Sequence, residues 1–372
     1  MIIGGPLEFD AKSLSEEKLP SLIEELGFKE ENVVWTRSGR SAISFVLEVF
    51  KHKLSEGWLL LPDYQCWSVN SAFQSVKLKN YNINSNLEID LAALDSLLND
   101  SNIQAILLID FFGLSDINSQ ISFIKQKRPD ILIFIDAAQS FFSLIINHKK
   151  YENADAIILS LRKFLPISDG GSAIFPEMPV NSLTIDDDNI SKKMNHLYFS
   201  ASAMRTIRRG FKFKDPLVEQ FESKYLSLFQ QHNELFDNQV NPISSMSKEI
   251  IERTDLKKLA LDRKDNFLFM RNLLLKNDLK FLEPIFGDTL GPALVFPVRV
   301  KNSERNNLRQ YLQSKGIYCP VHWPIPSDKK LLSGSGAITL SKEILGLPID
   351  QSCNKSTMLI TLEEILTFLE KF

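Results

Sequence analysis

The sequence predicts an α/β protein: a large domain on a mostly parallel β-sheet, residues 1–235 with their N-terminal segment, and a smaller C-terminal α+β domain, residues 236–372. Three observations predict it. From Val33 to Phe175 short apolar runs alternate with amphipathic stretches, as in β-α units whose helices cover a sheet. A polar residue capable of chemistry stands just past each apolar run. After Phe175 the alternation gives way to long helical segments and then to a mixed strand and helix pattern.

Trp58-Leu59-Leu60-Leu61, Ile103 to Ile109, Ile131 to Ile135 and Ile157-Ile158-Leu159 are apolar runs, broken only by Gln104, of the kind found in strands buried on both faces. Ser41 to Phe50 and Leu91 to Leu98 carry apolar residues at helical spacing, and Ile117 to Ile124 does so less regularly. These are the expected crossover helices. Asp63, Asp110, Asp136 and Ser160 follow the four runs. Ligands of open α/β sheets bind outside the carboxyl ends of the strands, so the four residues are expected on one rim.

Past Phe175, Asp186-Asp187-Asp188 reads as a solvated loop or a helix start. Ala293 to Val300 is strand-like, Glu304 to Ser314 helical, and Ile317 to Trp323 extended. The last helix is expected to be capped by Thr361, with Glu364 three residues on at capping-box spacing. No internal repeat or low-complexity segment interrupts the chain.

Composition narrows the function. The 43 basic and 46 acidic residues leave a formal charge of -3, which gives no overall attraction to nucleic acid or to an anionic membrane. No apolar run reaches the roughly 18 residues of a membrane span. The start, Met1-Ile2-Ile3-Gly4-Gly5-Pro6, lacks the basic region and longer apolar segment of a signal peptide, so a cytoplasmic protein is expected. Cys66, Cys319 and Cys353 are odd in number and widely spaced, which suggests free thiols rather than a disulfide framework or a metal site.

The chemistry gathers around Lys163. Ser160-Leu161-Arg162-Lys163 and then Asp169-Gly170-Gly171 lie just downstream of Asp136-Ala137-Ala138-Gln139. An amine that condenses with an aldehyde, a carboxylate that holds a protonated pyridine nitrogen and a hydroxyl that holds a phosphate are what pyridoxal phosphate (PLP) requires. Phosphate also binds backbone N–H groups at a helix start, which Ser38-Gly39-Arg40-Ser41-Ala42 offers; a plain N-cap is the alternative there.

In order and spacing these motifs resemble those of the PLP enzymes of fold type I, the aspartate aminotransferase superfamily, and within it the DegT/DnrJ/EryC1/StrS family of sugar aminotransferases. The resemblance runs over nearly the whole chain, through Pro62-Asp63-Tyr64-Gln65-Cys66-Trp67-Ser68 and on to Leu345-Gly346-Leu347-Pro348-Ile349. It implies that Lys163 bonds to the cofactor aldehyde and then moves the substrate proton, and that Asp136 pairs with the pyridine nitrogen. Gln139 would bond near the phenolic oxygen, and Gly39, Arg40, Ser41 and Ser160 would hold the phosphate. Trp67 is the expected ring-stacking residue and Tyr64 its fallback; core packing is the alternative for both. His322 and Trp323 resemble the segment facing the substrate entrance, and Arg162 is placed to meet an anionic group. A packed extended segment and a surface salt bridge are the respective alternatives.

The resemblance further implies an aminotransferase that moves an amino group from an amino acid, glutamate foremost, to a keto sugar carried on a nucleotide, in surface polysaccharide or secondary-metabolite synthesis. It also implies a homodimer with the cofactor near the subunit interface. A PLP lyase or desulfurase, whose sulfur-accepting version needs a cysteine on a mobile loop, and a non-catalytic PLP-fold binding protein are the other readings.

Three departures mark a divergent member. The serine precedes the lysine by three residues, as in other branches of fold type I, where the sugar aminotransferases usually have five. Asp169 stands where Glu is usual. The Gly-x-Asn segment that often reaches a neighbouring subunit's phosphate is absent, and Arg205-Thr206-Ile207-Arg208-Arg209-Gly210 occupies its region. Between Lys192 and Phe229, Phe199, Phe211, Phe213, Phe221, Tyr225 and Phe229 stand among basic residues, a mixture expected at a subunit interface or, alternatively, at the hinge between lobes. Arg208 or Arg209 is expected to reach the neighbouring site.

Overall fold

The computed structural model of the chain describes residues 2–147, 151–185, 187–209, 217–277, 279, 281–285, 291–301, 303–326 and 334–370. Asp186, Gly210, Phe211 and Phe213 lie outside these residues. In chain order the strands are β1 (Ile3–Gly4), β2 (Val33–Thr36), β3 (Trp58–Pro62), β4 (Lys77–Tyr81), β5 (Ile103–Ile109), β6 (Leu132–Asp136), β7 (Ala156–Leu159), β8 (Gly171–Ile174), β9 (Leu282–Pro284), β10 (Phe296–Val300), β11 (Ile317–Tyr318) and β12 (Ile344–Leu347).

β2 to β8 form one sheet in the order β2-β8-β7-β6-β5-β3-β4. The pairs from β7 through β4 are parallel, and β8 runs antiparallel to both of its neighbours. The four predicted apolar runs become β3, β5, β6 and β7, each within a residue or so of the expected bounds, because near-continuous apolar sequence is stable only where both faces are covered. The expected crossover helices are Gly39–Val49, Leu91–Leu98 and Ile117–Lys127. β2, β4 and β8 go unannounced in the sequence. β4 (Lys-Leu-Lys-Asn-Tyr) is an edge strand with charged residues, and β8 (Gly-Ser-Ala-Ile) is short and built of small residues.

β6 lies in the middle of the sheet, its last residue Asp136 in register with Ile109 of β5 and Ile158 of β7. The central carboxyl ends therefore surround Asp136. A second, antiparallel sheet in the order β12-β10-β9 is built from the C-terminal part of the chain, with helix Arg305–Ser314 following β10. The chain passes between the two parts more than once. β1 pairs with β11, and the Arg37 amide donates to the Asn241 carbonyl at 2.8 Å beside a Thr36–Pro242 bridge.

One local expectation changes and one holds. The last helix is Lys355–Leu369 and is capped by Asn354, whose side chain accepts from the Thr357 amide while the Thr357 hydroxyl accepts from the Asn354 amide. Thr361 lies inside it and donates back to the Thr357 carbonyl at 2.9 Å, since helical sequence continues upstream of the threonine. Asp188 does stand at a helix start: its carboxylate accepts from the Ser191 amide at 2.6 Å and pairs at 2.8 Å with Arg37, itself 1% exposed.

Candidate active site

Of the four strand-end residues, two face the same cavity. Asp63 accepts from the Ile83 amide (2.9 Å) and the Gly334 amide (2.6 Å), and Asp110 accepts from the Tyr151 hydroxyl (2.6 Å) and the Ser115 amide (3.1 Å). Both carboxylates are committed to holding loops. Asp136 and Ser160 instead line a small cavity of about 70 Å³ together with Gly39, Arg40, Gln139, Arg162 and Lys163.

Asp136 is buried, and one of its oxygens accepts from the Ala138 amide at 2.9 Å. Burial pushes its carboxyl above the ordinary range, and the nearby Lys163 amine pulls the other way. Burial correspondingly lowers the Lys163 amine, with Asp136 as the largest opposing influence. Such a pair, each member made uncomfortable by burial and relieved by the other, marks a site where charge is meant to be taken up or handed over.

Lys163 ends the short turn Leu161–Lys163 that follows β7. The Asp-Gly-Gly run behind it is structural. The Asp169 carboxylate accepts from both the amide (2.9 Å) and the hydroxyl (2.7 Å) of Ser244, the N-cap of helix Ser245–Glu252. Gly170 has φ +137°, and a Cβ on Gly171 would stand 2.3 Å from the Ser38 carbonyl carbon. Only glycine fits the latter position.

Ser38 caps helix Gly39–Val49, its hydroxyl accepting from the Ser41 amide at 3.2 Å. The helix start faces Ser160: a Cβ on Gly39 would lie 3.5 Å from Ser160 Cβ. The Ser41 hydroxyl turns away and donates to the Gln239 carbonyl at 2.6 Å. Arg40 donates to the Phe236 carbonyl at 2.9 Å, and the Arg162 guanidinium lies over the Phe236 ring, 4.2 Å from its centroid. Arg162 is pushed down to about 10, by burial first and then by Arg40. Phe236 thus gathers two cations at the cavity, a role nothing in its sequence neighbourhood announces.

Gln139 accepts from the Phe112 amide at 3.1 Å, leaving its buried Nε2 without a partner. Tyr64 is wholly buried and donates to the His322 carbonyl; its ring packs 5.4 Å from that of Trp323. Trp67, half-buried at the start of helix Trp67–Ala72, is not among the residues lining the cavity, where Cys66, Ser68 and Trp323 stand instead. The segment after β3 therefore turns Cys66, rather than either aromatic, toward Lys163. His322 is pushed down to about 3 by burial and by the neighbouring Lys163, so its ring stays neutral.

The small cavity adjoins a cleft of about 570 Å³ through the shared residues Cys66, Ser68, Arg162, Lys163 and Trp323. Arg263, Arg309, His232 and His322 also line the cleft, with Asp350 as the one carboxylate among its described lining residues.

These groups fit PLP on observations independent of the motifs. An amine and a carboxylate interact across one cavity, a buried amide N–H is left unpaired beside them, and a glycine-opened helix start faces a hydroxyl.

The sequence profile of the aminotransferase class-V family matches residues 16–168. No curated protein sequence matches the chain. Among solved structures it is similar to Spr1654 of Streptococcus pneumoniae, assigned as a sugar aminotransferase, at 17% identity over 99% of this chain and 94% of that one, with a TM-score of 0.64. That protein has been solved in PLP and PMP forms. The chain is also similar to DesV of S. venezuelae (14% identity, 94% and 90% covered, TM-score 0.61). A DegT DnrJ EryC1 StrS aminotransferase from Brucella abortus is similar as well (16% identity, 93% and 88% covered, TM-score 0.60). With its seven-stranded sheet, its lysine and aspartate at the central strand ends and these neighbours, the chain has the fold type I architecture of the PLP-dependent aminotransferases.

Proposed function

We propose that the protein is a PLP-dependent aminotransferase that takes an amino group from an amino acid such as glutamate and passes it to a keto sugar carried on a nucleotide, acting in the cytosol as a homodimer. The observation that carries the reading is the Lys163–Asp136 pair on one cavity with the Gly39 helix start and Ser160.

Bound PLP supplies an aldehyde that condenses with amines and a ring that accepts the electrons left when a proton leaves the neighbouring carbon. The chain's own groups do the rest. Lys163 Nζ would offer the amine for attachment and then carry the proton; burial lowers its affinity for that proton, the direction a base needs. Asp136 would hold positive charge at the ring nitrogen, and that partner would offset the cost of an ionised carboxylate at a buried strand end. The free Nε2 of Gln139 would be available to donate to the ring oxygen. The helix start at Gly39 and the Ser160 hydroxyl would receive the phosphate. Trp323 and His322 line the cleft, with the buried Tyr64 ring packed behind Trp323.

The cleft's guanidinium groups, opposed by Asp350, favour an anionic substrate such as a nucleotide-linked sugar, and the structural neighbours assigned as sugar aminotransferases point the same way. The desulfurase reading loses support at Cys319 and Cys353, which are buried with thiols pushed well up, Cys319 to about 12. A sulfur acceptor has to be an accessible thiolate. For the dimer, the helix pair Asn189–Arg209 and Leu217–Glu234 exposes Ile190, Ile207, Leu217 and Leu226, the last of them lining a largely apolar groove of about 620 Å³.

Purified protein incubated with PLP and borohydride should trap the cofactor covalently, and Lys163→Ala should abolish trapping while leaving the circular dichroism spectrum unchanged. With a panel of amino acids, the absorption of the loaded enzyme should shift to that of pyridoxamine phosphate for the true donor. A wild-type protein that traps no cofactor would overturn the proposal.

A further inference from the structure

The turn Leu161–Lys163 is a single three-residue turn, too short to hold its own conformation. On its upstream side the Leu161 amide donates to the Gly170 carbonyl at 3.0 Å. On its downstream side the support comes from the C-terminal part of the chain, where Gln351 Nε2 donates to the carbonyl of Phe164, the residue after Lys163, at 2.7 Å. Arg263, in helix Leu256–Lys276, holds that glutamine: its Nη2 donates to Gln351 Oε1 at 2.5 Å. Its Nη1 donates to the Leu294 carbonyl at 2.8 Å.

The connection continues beyond Leu294. The Leu294 amide donates to the Phe112 carbonyl at 3.3 Å, and the Phe112 amide donates to Gln139 Oε1 at 3.1 Å. A single hydrogen-bonded path thus runs from Gln139, on one side of the small cavity, through Phe112, Leu294, Arg263 and Gln351 to the residue joined to Lys163 on the other. Arg263 is 1% exposed, with its guanidinium 5.1 Å from the Phe164 ring centroid and 5.5 Å from that of Phe142. No ion pair holds it among the described residues. Burying an arginine this deeply is costly; bonds to the Leu294 carbonyl and the Gln351 amide oxygen, aromatic faces and the nearby charge of Asp350 are the compensation.

We infer that Arg263 and Gln351 are positioning residues for Lys163, a clamp by which the C-terminal part of the chain fixes the lysine turn against the ring-side group Gln139. The inference rests on the PLP reading. Displacing a reacting group by about an ångström costs on the order of 10²-fold in rate. A loosened turn also changes the electrostatic balance that Lys163 holds with Asp136.

The test uses the PLP-loaded protein and the variants Gln351→Leu, a half-buried position where both bonds are lost at similar size, and Arg263→Lys. Two quantities are read: the pH midpoint at which the absorption of the lysine-bound cofactor changes, and the kcat and KM of the amino-donor half-reaction. Both variants should move the midpoint by about half a unit or more and lower kcat roughly 10- to 100-fold with KM within about twofold. General structural weakening lowers the melting temperature without moving the midpoint, so an unmoved midpoint overturns the inference. A KM raised tenfold in Arg263→Lys, with Gln351→Leu behaving as wild type, also overturns it, because Arg263 would then touch the donor directly. Wild-type protein that takes up no cofactor removes the PLP reading and this inference together; loaded wild type with unchanged variants removes this inference alone.

Discussion

Burial raises the Asp136 carboxyl and lowers the Lys163 amine, and the attraction between the two opposes both shifts. Removing the charge of one member while keeping its shape isolates its part in the chemistry. Asp136→Asn should lower turnover on the order of 10²–10³-fold, the scale of one preorganised electrostatic group, with little change in melting temperature. Near-normal turnover would take Asp136 out of the mechanism. The residues around the pair divide by what their neighbours ask of them. Arg162 meets no carboxylate within bonding distance among the described residues and faces both cavities, whereas Arg208 pairs with Glu222 at 3.1 Å and Arg209 with Glu8 at 2.8 Å. Both of the latter cations are engaged within their own chain and stand outside the cleft, whose described lining arginines are Arg162, Arg263 and Arg309.

Helices bring groups to the site that no local motif marks. Helix Leu217–Glu234 places His232 on the cleft, 2% exposed, with Nε2 2.6 Å from the Ser168 carbonyl and a buried Nδ1 without a partner. Burial, and then Arg162, push its pKa down from 6.5 to about 4. The unfolded chain therefore binds the proton more readily than the folded one between those values. The stability tied to the neutral ring is fully present above about pH 6.5 and is lost as pH falls toward 4. His232→Gln should flatten this part of the stability-pH profile, measured by urea denaturation at several pH values and compared with wild type. An equally steep loss in the variant would show that His232 titrates as it does in the unfolded chain. The aromatics of the same region serve packing first: Tyr198, Tyr225 and Phe229 stack within the helix pair, and Phe199 packs on Phe9 at 5.1 Å. Tyr198 and Phe199 fasten the N-terminal segment to the helices, which favours an intramolecular role for those two rings, while Tyr225 and Phe229 also line the neighbouring groove.

On the scale of the molecule, the apolar groove between the helix pair and the N-terminal segment is lined by Ile2, Pro6, Tyr225, Leu226, Phe229 and Tyr318 among others. A surface of that kind on a fold type I chain leads us to expect a homodimer. Light scattering at micromolar concentration should give twice the chain mass of 42.4 kDa, and Leu226→Glu, which puts a charge on a side chain 56% exposed, should shift the equilibrium toward monomer. A fully active monomer would sink the expectation.

Sequence alone determined the α/β class, the four central strands and the order of the chemical motifs, since buried parallel strands need near-continuous apolar runs and a condensing lysine needs a strand-end carboxylate partner. It also placed Lys163, Asp136, Gln139, Gly39 and Ser160 close enough in motif order to be grouped, and the fold brings them to one cavity. Tertiary structure decided the rest. Whether Asp63 and Asp110 hold loops or face a ligand depends on which amides and hydroxyls arrive from elsewhere in the chain. Whether Trp67 or Trp323 lines the cavity depends on how a turn after β3 is rotated and on a segment more than 250 residues away. Phe236, His232, Arg263 and Gln351 carry no local signature at all. Their roles come from long-range packing, which brings together groups that a linear pattern of apolar and polar residues cannot pair.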